Sequence, residues 1–554
     1  MGFILMLITQ PLLSQTNIET LIQDLDKKLV VVEAGKGKTD PSVLGDKKVA
    51  GIVVFTIEDT DAKGKQESES FELNLSDLST QLLRGVTKKD VRYLEAATKD
   101  RYDYIKYKKN GEFKGYVNKF EIPSKDNDAA KEIMDMLKTA IETCEKLPDV
   151  CPKVNSLSEA TNQLKSLITK IAIDDSRYEQ EIKFDATIST RAVFTINEIV
   201  KNKSELRENA FDFGDFTDNK IKFKVSGKLL KVTISSRAGN LVQRKENSKC
   251  QSLTDDVEFL ATDVEQGKCI VKTLKALITL ARDIADARIP KADSQSEALS
   301  TAAKQVQSFD QCTVNRKQEL KGNCVAKYTI TTVTDKDKKK EDYQYDFNFA
   351  DIDIPSVEIR TSGSTIGVRL RINDNNNYIK VVKNDEQQNF DSDLVIPTPD
   401  GESAKILMHT IRKAAKNCPQ IMETNCGSKG VGALDCAITN VKEVKQAKVT
   451  VRQKLEKVPD NEYKLLLKVE NEKEAKTDVL SYEWNMKDID TRRVEVKVTG
   501  KQVAVVLPTK NNEKVIKINK SEKLEYSAKV YIEVADIEAG RALKQIFQKV
   551  IEAQ

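Results

Sequence analysis

Large apolar residues alternate with polar ones over short stretches, and each group of such stretches closes with apolar residues spaced three and four apart. Ile221, Phe223 and Val225 alternate into Gly227-Lys228, and Leu230, Val232 and Ile234 alternate out. Val494, Val496 and Val498 lead in the same way into Gly500-Lys501 and out through Val503 and Val505, and Gly363-Ser364 marks a third such turn. A period of two is that of a strand with one buried face, and Gly supplies the positive φ of a tight hairpin. Nearer the N-terminus the corresponding place holds Lys89-Asp90, which predicts an altered corner in that sheet. Asn110-Gly111 predicts another hairpin, joining Tyr104 to Tyr107 with Phe113 to Ile122.

The closing stripes are those of helices laid on a sheet. They run Ile133, Met136, Leu137, Ala140, Ile141, Cys144; Ile270, Leu274, Leu277, Ile278, Ala281; Leu407, Ile411, Ala414, Ala415, Cys418; and Leu543, Ile546, Phe547, Val550, Ile551. Shorter helical patterns precede the strands: Ile18 to Leu25, Leu164 to Ile168 with Ser156 and Ser158 as caps, an Ala-rich stretch from Leu299 to Val306, and Leu434 to Val441.

One seven-residue phrase ties these patterns together. It begins at Leu73, Phe211, Phe347 and Trp484, so its copies stand 138, 136 and 137 residues apart. Its alternate apolar residues predict a strand, with Asn or Asp on the other face toward water or a neighbouring edge. Asp77, Asp215, Asp351 and Asp488 are then expected to end the strand and cap a turn through backbone N–H groups. A hard-cation site is the rival role, but no EF-hand-like loop surrounds any of the four.

The expected fold class is α+β: four tandem repeats, each with an N-terminal helix, about seven antiparallel strands and a C-terminal amphipathic helix. The repeats span 16–147, 153–286, 293–419 and 427–554, after a leader at 1–15, with junctions near Pro148, Pro152, Pro290 and Pro419. About seven strands closed by one helix resembles the pleckstrin-homology-like barrel. The resemblance is one of element order and covers each repeat apart from its leading helix. It implies a half-barrel fold and does not carry over the lipid-headgroup role of that superfamily's intracellular members.

A chain of 554 residues is too long for one core, and its 39% hydrophobic and 32% charged residues fit small domains with much surface. Its 90 basic and 86 acidic residues nearly cancel, which supplies no electrostatic footprint for nucleic acid. Met1 to Gln15, apolar from Gly2 to Ile8, is too short to span a bilayer. It resembles the core and cleavage region of a secretory signal peptide, although no Lys or Arg precedes the core, and its Ser14-Gln15 ending resembles leaders of one Gram-negative phylum. The rival reading is a buried N-terminal strand. The expected location is therefore secreted or periplasmic, in a Gram-negative cell envelope, with no integral membrane segment after leader removal.

In an oxidising compartment the nine cysteines read as local disulfides: Cys144 with Cys151, Cys250 with Cys269, Cys312 with Cys324 and Cys418 with Cys426, leaving Cys436 over. The pairing among Cys418, Cys426 and Cys436 stays open. The rival reading makes them small buried apolar residues, and Cys144 and Cys418 do lie on helix stripes.

Candidate chemistry is sparse. The single histidine, His409, two residues past Leu407, is expected on a solvated helix face, and one His excludes multi-His metal sites. Gly35-Lys36-Gly37-Lys38-Thr39 resembles the end of a phosphate loop, but Val32 stands where the first Gly is required, so a charged loop is expected. Asp59-Thr60-Asp61-Ala62-Lys63-Gly64 begins like a calcium loop, but Lys63 replaces a ligand, so a hairpin tip is expected. Tyr102, Tyr104, Lys106, Tyr107 and Lys108 form the one basic, aromatic stretch and are the binding candidates. The rival reading is an exposed strand with Lys guarding its edge, preferred because the other repeats lack aromatics there. No catalytic, cofactor-binding or metal-ligating set is assigned. These features together predict an exported, non-enzymatic binding or scaffolding protein whose partner is a protein or a cell-surface polymer. The alternatives are a carboxylate-based envelope hydrolase or lyase in one divergent repeat, and a peptide binder by strand addition.

Overall fold

The structure, a computed structural model, describes residues 9–88, 91–334, 338–419, 426, 429–446, 449–473, 476–520 and 523–551. It contains two compact units, Met1–Asp286 and Ala287–Gln554. The first unit opens with α1 (Thr9–Lys28). There follow β1 (Val32–Ala34), β2 (Gly37–Gly45), β3 (Ile52–Thr60), β4 (Gln66–Asn74), β5 (Arg84–Lys88), β6 (Val91–Ala97), β7 (Ile105–Lys109), β8 (Glu112–Val117), β9 (Lys119–Ser124) and α2 (Asn127–Cys144). The strands pair antiparallel into a six-stranded sheet, β1-β2-β3-β4-β7-β8, and a three-stranded sheet, β5-β6-β9. Along β3 the alternation works as expected, with Val53, Phe55 and Ile57 buried. α2 starts where Asp126 accepts the Ala129 N–H and buries Ile133, Leu137, Ala140, Ile141 and Cys144 against the sheets.

The second half of this unit has α3 (Leu157–Leu167), a six-stranded and a three-stranded sheet in corresponding order, and α4 (Val264–Ala287). The other unit contains α5 (Gln295–Gln305), α6 (Gly401–Asn417), α7 (Val431–Asn440) and α8 (Ile537–Ile551), with two more sheet pairs of that order. These four stretches of chain are called segments below. Each has nine strands rather than about seven, because elements such as Lys249–Cys250 and Glu386–Gln387 are too short for alternation to reveal. Among the described residues no sheet closes on itself. The turn glycines Gly227, Gly363 and Gly500 take φ of 63°, 56° and 61°, and Asn110-Gly111 turns with φ of 52° and 77°. Gly35 and Asp61 lie in hairpin turns as expected. Lys89-Asp90 and Met1 to Ile8 of the leader lie outside the described residues, and Thr9 to Gln15 belong to α1. No helix among the described residues is long and apolar enough to cross a membrane.

The recurring phrase folds differently from its expected form. The strands end at Asn74, Asp212, Asn348 and Asn485, and a single 3-10 turn follows each. These four side chains accept the N–H of Ser76, Gly214, Ala350 and Lys487 at 3.0, 2.8, 2.9 and 2.9 Å. The cap is thus the phrase's second residue, not the Asp three places later, and Asp212 and Asn348 are buried rather than turned to water. An Asx side chain reaches the N–H two residues on, which places the cap at the strand's last residue.

A glutamine, buried at Gln180 and Gln318 and half-buried at Gln453, clamps the two sheets together in three of the segments. Gln180 Nε2 donates to the carbonyls of Thr169 and Leu260 at 3.0 and 3.1 Å, and its Oε1 accepts the Leu260 N–H at 2.8 Å. Gln453 does the same with Lys442 and Glu533. Gln318 donates to Gln307 and Pro397, and because Pro397 has no N–H its Oε1 takes the Tyr328 hydroxyl at 2.8 Å. The first segment has Pro41 in this place, opposite Ile57 as Gln180 is opposite Ile196. Gln180→Leu keeps the volume but strands buried backbone groups. It should cost about 2–4 kcal/mol, since each orphaned buried group costs about 1–3 kcal/mol, and should speed exchange of the Leu260 amide.

Glu533, in the strand Lys529–Val534, has a covered Oε2 with no hydrogen-bond partner, and burial pushes its carboxyl up from 4.5 to about 7. Folded protein keeps this proton up to about pH 7, whereas unfolded chain releases it near 4.5. Stability from this group is therefore full below 4.5 and is lost as pH rises through 7. Glu533→Gln should flatten that profile and stabilise by about 2–3 kcal/mol at pH 8, read by urea unfolding of the two proteins across pH.

Two of the disulfides are long-range, spanning 118 and 94 residues, and none of the four expected local pairs forms. Cys151 bonds Cys269, Cys324 bonds Cys418, and Cys426 bonds Cys436, so Cys436 is not left over. Cys250 and Cys312 are disulfide-bonded too, and Cys144 is the free, buried thiol. Cys144 and Cys418 occupy the same stripe position, but Gly51 stands where the third segment has Cys324: a Cβ at Gly51 would lie 3.0 Å from the Cys144 Sγ. The thiol lacks a partner, and burial pushes it up to about 12.

Candidate functional site: a joint built twice

Freed from capping, the phrase's Asp serves another purpose. In the first unit Asp77 closes the turn after β4, and Tyr104 lies just before β7. The first turns of α4 bring Glu265 and Lys268 to them. Lys268 Nζ donates to both Asp77 oxygens at 2.5 and 2.6 Å and to Glu265 at 2.7 Å, and sits 5.8 Å from the Tyr104 ring. Tyr104 in turn stacks on Phe223 of the second segment, with ring centres 5.2 Å apart.

The second unit repeats this with different atoms. Arg541, on α8, binds Asp351 and Glu538, and its guanidinium lies 5.5 Å from the Tyr378 ring. The Tyr378 hydroxyl donates to the Val496 carbonyl at 3.1 Å, and Asn348 Nδ2 donates to Glu538 at 3.0 Å. The hairpin turn of the fourth segment also docks: the Phe390 N–H meets the Gly500 carbonyl at 3.1 Å, and Gln387 Nε2 meets the Lys501 carbonyl at 3.0 Å. Asp77 and Lys268 are 191 residues apart, Asp351 and Arg541 190. Tyr104 and Tyr378 each stand 27 residues past their Asp.

Two carboxylates share one cation in each joint. Burial raises the carboxyls of Asp77 and Asp351, and the second acid adds to this against the pull of the cation. Burial works against the Lys268 ammonium, but Asp77 and Glu265 outweigh it and hold the charge. In the second unit a cleft of about 480 Å³ opens beside the joint, lined by Phe347, Asn348, Asp351, Tyr378, Phe390 and Glu538 among others. That is the size of a small-molecule or side-chain pocket.

The binding candidates do not form one surface. Tyr102 is exposed and stacks on Tyr104, which the joint takes up. Lys106 pairs with Glu72 at 3.2 Å, and Lys108 is half-buried. Tyr107 stacks on Phe71 and donates to Glu69 at 2.7 Å. It faces a cleft of about 390 Å³ that includes Phe71, Tyr93, Phe120 and Glu121, the last bound to Lys88 at 2.7 Å. β7 lies between β4 and β8, so its lysines guard no edge. The aromatic at this place is not confined to the first segment either, since Tyr378 is its counterpart. His409 is half-buried, not fully solvated, with its Nε2 covered. Among the described residues no group of three or more His, Cys, Asp or Glu is placed to hold a metal ion.

An acid followed three residues later by a base, at the start of each closing helix, is the signal that could have revealed the joint: Asp128/Lys131, Glu265/Lys268, Glu402/Lys405 and Glu538/Arg541. Compared with known proteins, the chain matches no family model, and no curated protein is similar to it.

Proposed function

We propose that this chain is an exported scaffold of the cell envelope, built of four tandem modules, each a leading helix, a half-barrel of the pleckstrin-homology-like kind and a closing helix. The observation that carries the reading is the joint, which recurs with an Asp, a Tyr and a helix-borne cation at matching places in both compact units. A joint that buries an ion triad and a ring holds two modules in one pose. Modules so held present weak binding faces at high effective concentration. Eight oxidised cysteines support an oxidising compartment. The partner is a protein or surface polymer. The test is capture from envelope extract by the immobilised full chain: a discrete partner should be retained, and retention should fall when both joints are loosened by Asp77→Ala and Asp351→Ala. Turnover of a hydrolase substrate by the pure chain, abolished by one carboxylate substitution, would overturn the reading. A second reading, a peptide binder by strand addition, is favoured by the edge strand Lys523–Ser527, which pairs on one side only and bears exposed Leu524 and Tyr526.

A further inference from the structure

We infer that the fourth module carries the same joint face turned outward, and that its occupant is the first module of a second copy of this chain. The inference rests on the modular reading above and adds the partner. Asp488 stands where Asp77 and Asp351 stand, yet it is exposed and has no ion-pair partner among the described residues. Val515, at the place of Tyr104 and Tyr378, is 42% exposed. Tyr526 lies across the sheet from Lys517 as Tyr116 lies across from Lys106. Tyr116 packs against the core of the second module, whereas Tyr526 is 51% exposed. Leu524, opposite Asn519, matches Phe113, opposite Lys108. Phe113 has the Lys228 ammonium of the second module 5.6 Å from its ring, while Leu524 is 55% exposed. Three apolar residues whose counterparts meet the next module are therefore bare here, around a carboxylate whose counterparts hold a cation. A cluster of that kind on a water-soluble face marks a contact surface.

The complementary half is on the first module. Asp128 and Lys131 of α2 are exposed and form no ion pair with each other or elsewhere among the described residues. Lys131 stands two residues before the fully packed Ile133, as Lys268 stands before Ile270 and Arg541 before Leu543. At the strand position of Phe223 the first module has Gly85, and the Arg92 guanidinium covers it, where a Cβ would clash. The face thus offers two cations, Lys131 and Arg92, against one acid, Asp128, and a guanidinium in place of the ring of Phe223, which suits a carboxylate and an aromatic ring. This contact is heterologous, head to tail, so the assembly grows with concentration or closes into a ring.

Sedimentation velocity of the full chain over a concentration series tests this. Species larger than the monomer should rise with concentration. Asp488→Lys and Lys131→Asp should each weaken association about 10-fold or more, and the chain carrying both should recover it because the exchanged charges still meet. Tyr526→Ser should also weaken it. Both charged sites are exposed, so circular dichroism and melting should match the parent protein. A chain that stays monomeric, or whose association ignores Lys131→Asp, overturns the inference. A monomeric chain that still captures an envelope partner overturns it while the scaffold reading stands. Hydrolase turnover by a chain that assembles head to tail does the reverse.

Discussion

Replacing Cys324 and Cys418 together by alanine should destabilise the third segment by about 4–5 kcal/mol, among the largest effects expected of any change in this chain. The bond joins residues 94 apart, from the turn before the strand Val325–Thr334 to the end of α6. Cutting it restores to the unfolded chain the freedom of a loop that spans most of the segment, and that entropy grows with the logarithm of loop length. The same double replacement at Cys426 and Cys436, 10 residues apart, should cost about 3 kcal/mol. Unfolding of a chain with two compact units is not expected to be all-or-none, so the measurement is amide exchange resolved by segment. Equal losses at the two bonds would show that loop entropy is not what they contribute.

Asp351→Ala should cost about 3–5 kcal/mol, because it leaves the Arg541 guanidinium in a largely buried joint. Glu538 remains 2.9 Å away and holds the loss toward the lower end. Replacing both partners, Asp351→Leu with Arg541→Met, should recover part of that loss, since it removes the buried cation along with one of its two counter-ions and leaves Glu538 held by the Asn348 amide. The double-mutant cycle therefore separates pairing from packing. Trp484, the single tryptophan, lies in the core that includes Phe390 and that Tyr378 packs against, so its fluorescence reports the joint's collapse. If Asp351→Ala alone left that transition in place, the joint would be a surface contact of little weight.

Much of this was legible in the residues. The hairpins at Gly227, Gly363 and Gly500, the Ser156 cap and, over the described side chains, the four closing stripes stand as expected. Each depends on neighbours within a few positions. The joint was half legible. Its Asp was seen but given a local duty, and Tyr104 was singled out without its partner. The acid–base pair at each helix start was in plain view, yet nothing nearby in the chain says that Lys268 reaches back 191 residues to Asp77.

The order and kind of elements followed from the chain alone, because the repeat of two along a strand and of three to four along a helix is imposed by backbone geometry at every position. Pairing across distance did not. Cys151 with Cys269, Gln180 with Leu260 and Lys268 with Asp77 are chosen by how sheets and helices stack, and many partners are compatible with the same local pattern. Only burial, which makes an unmatched charge, thiol or amide costly, selects among them, and burial exists only once the segments have packed.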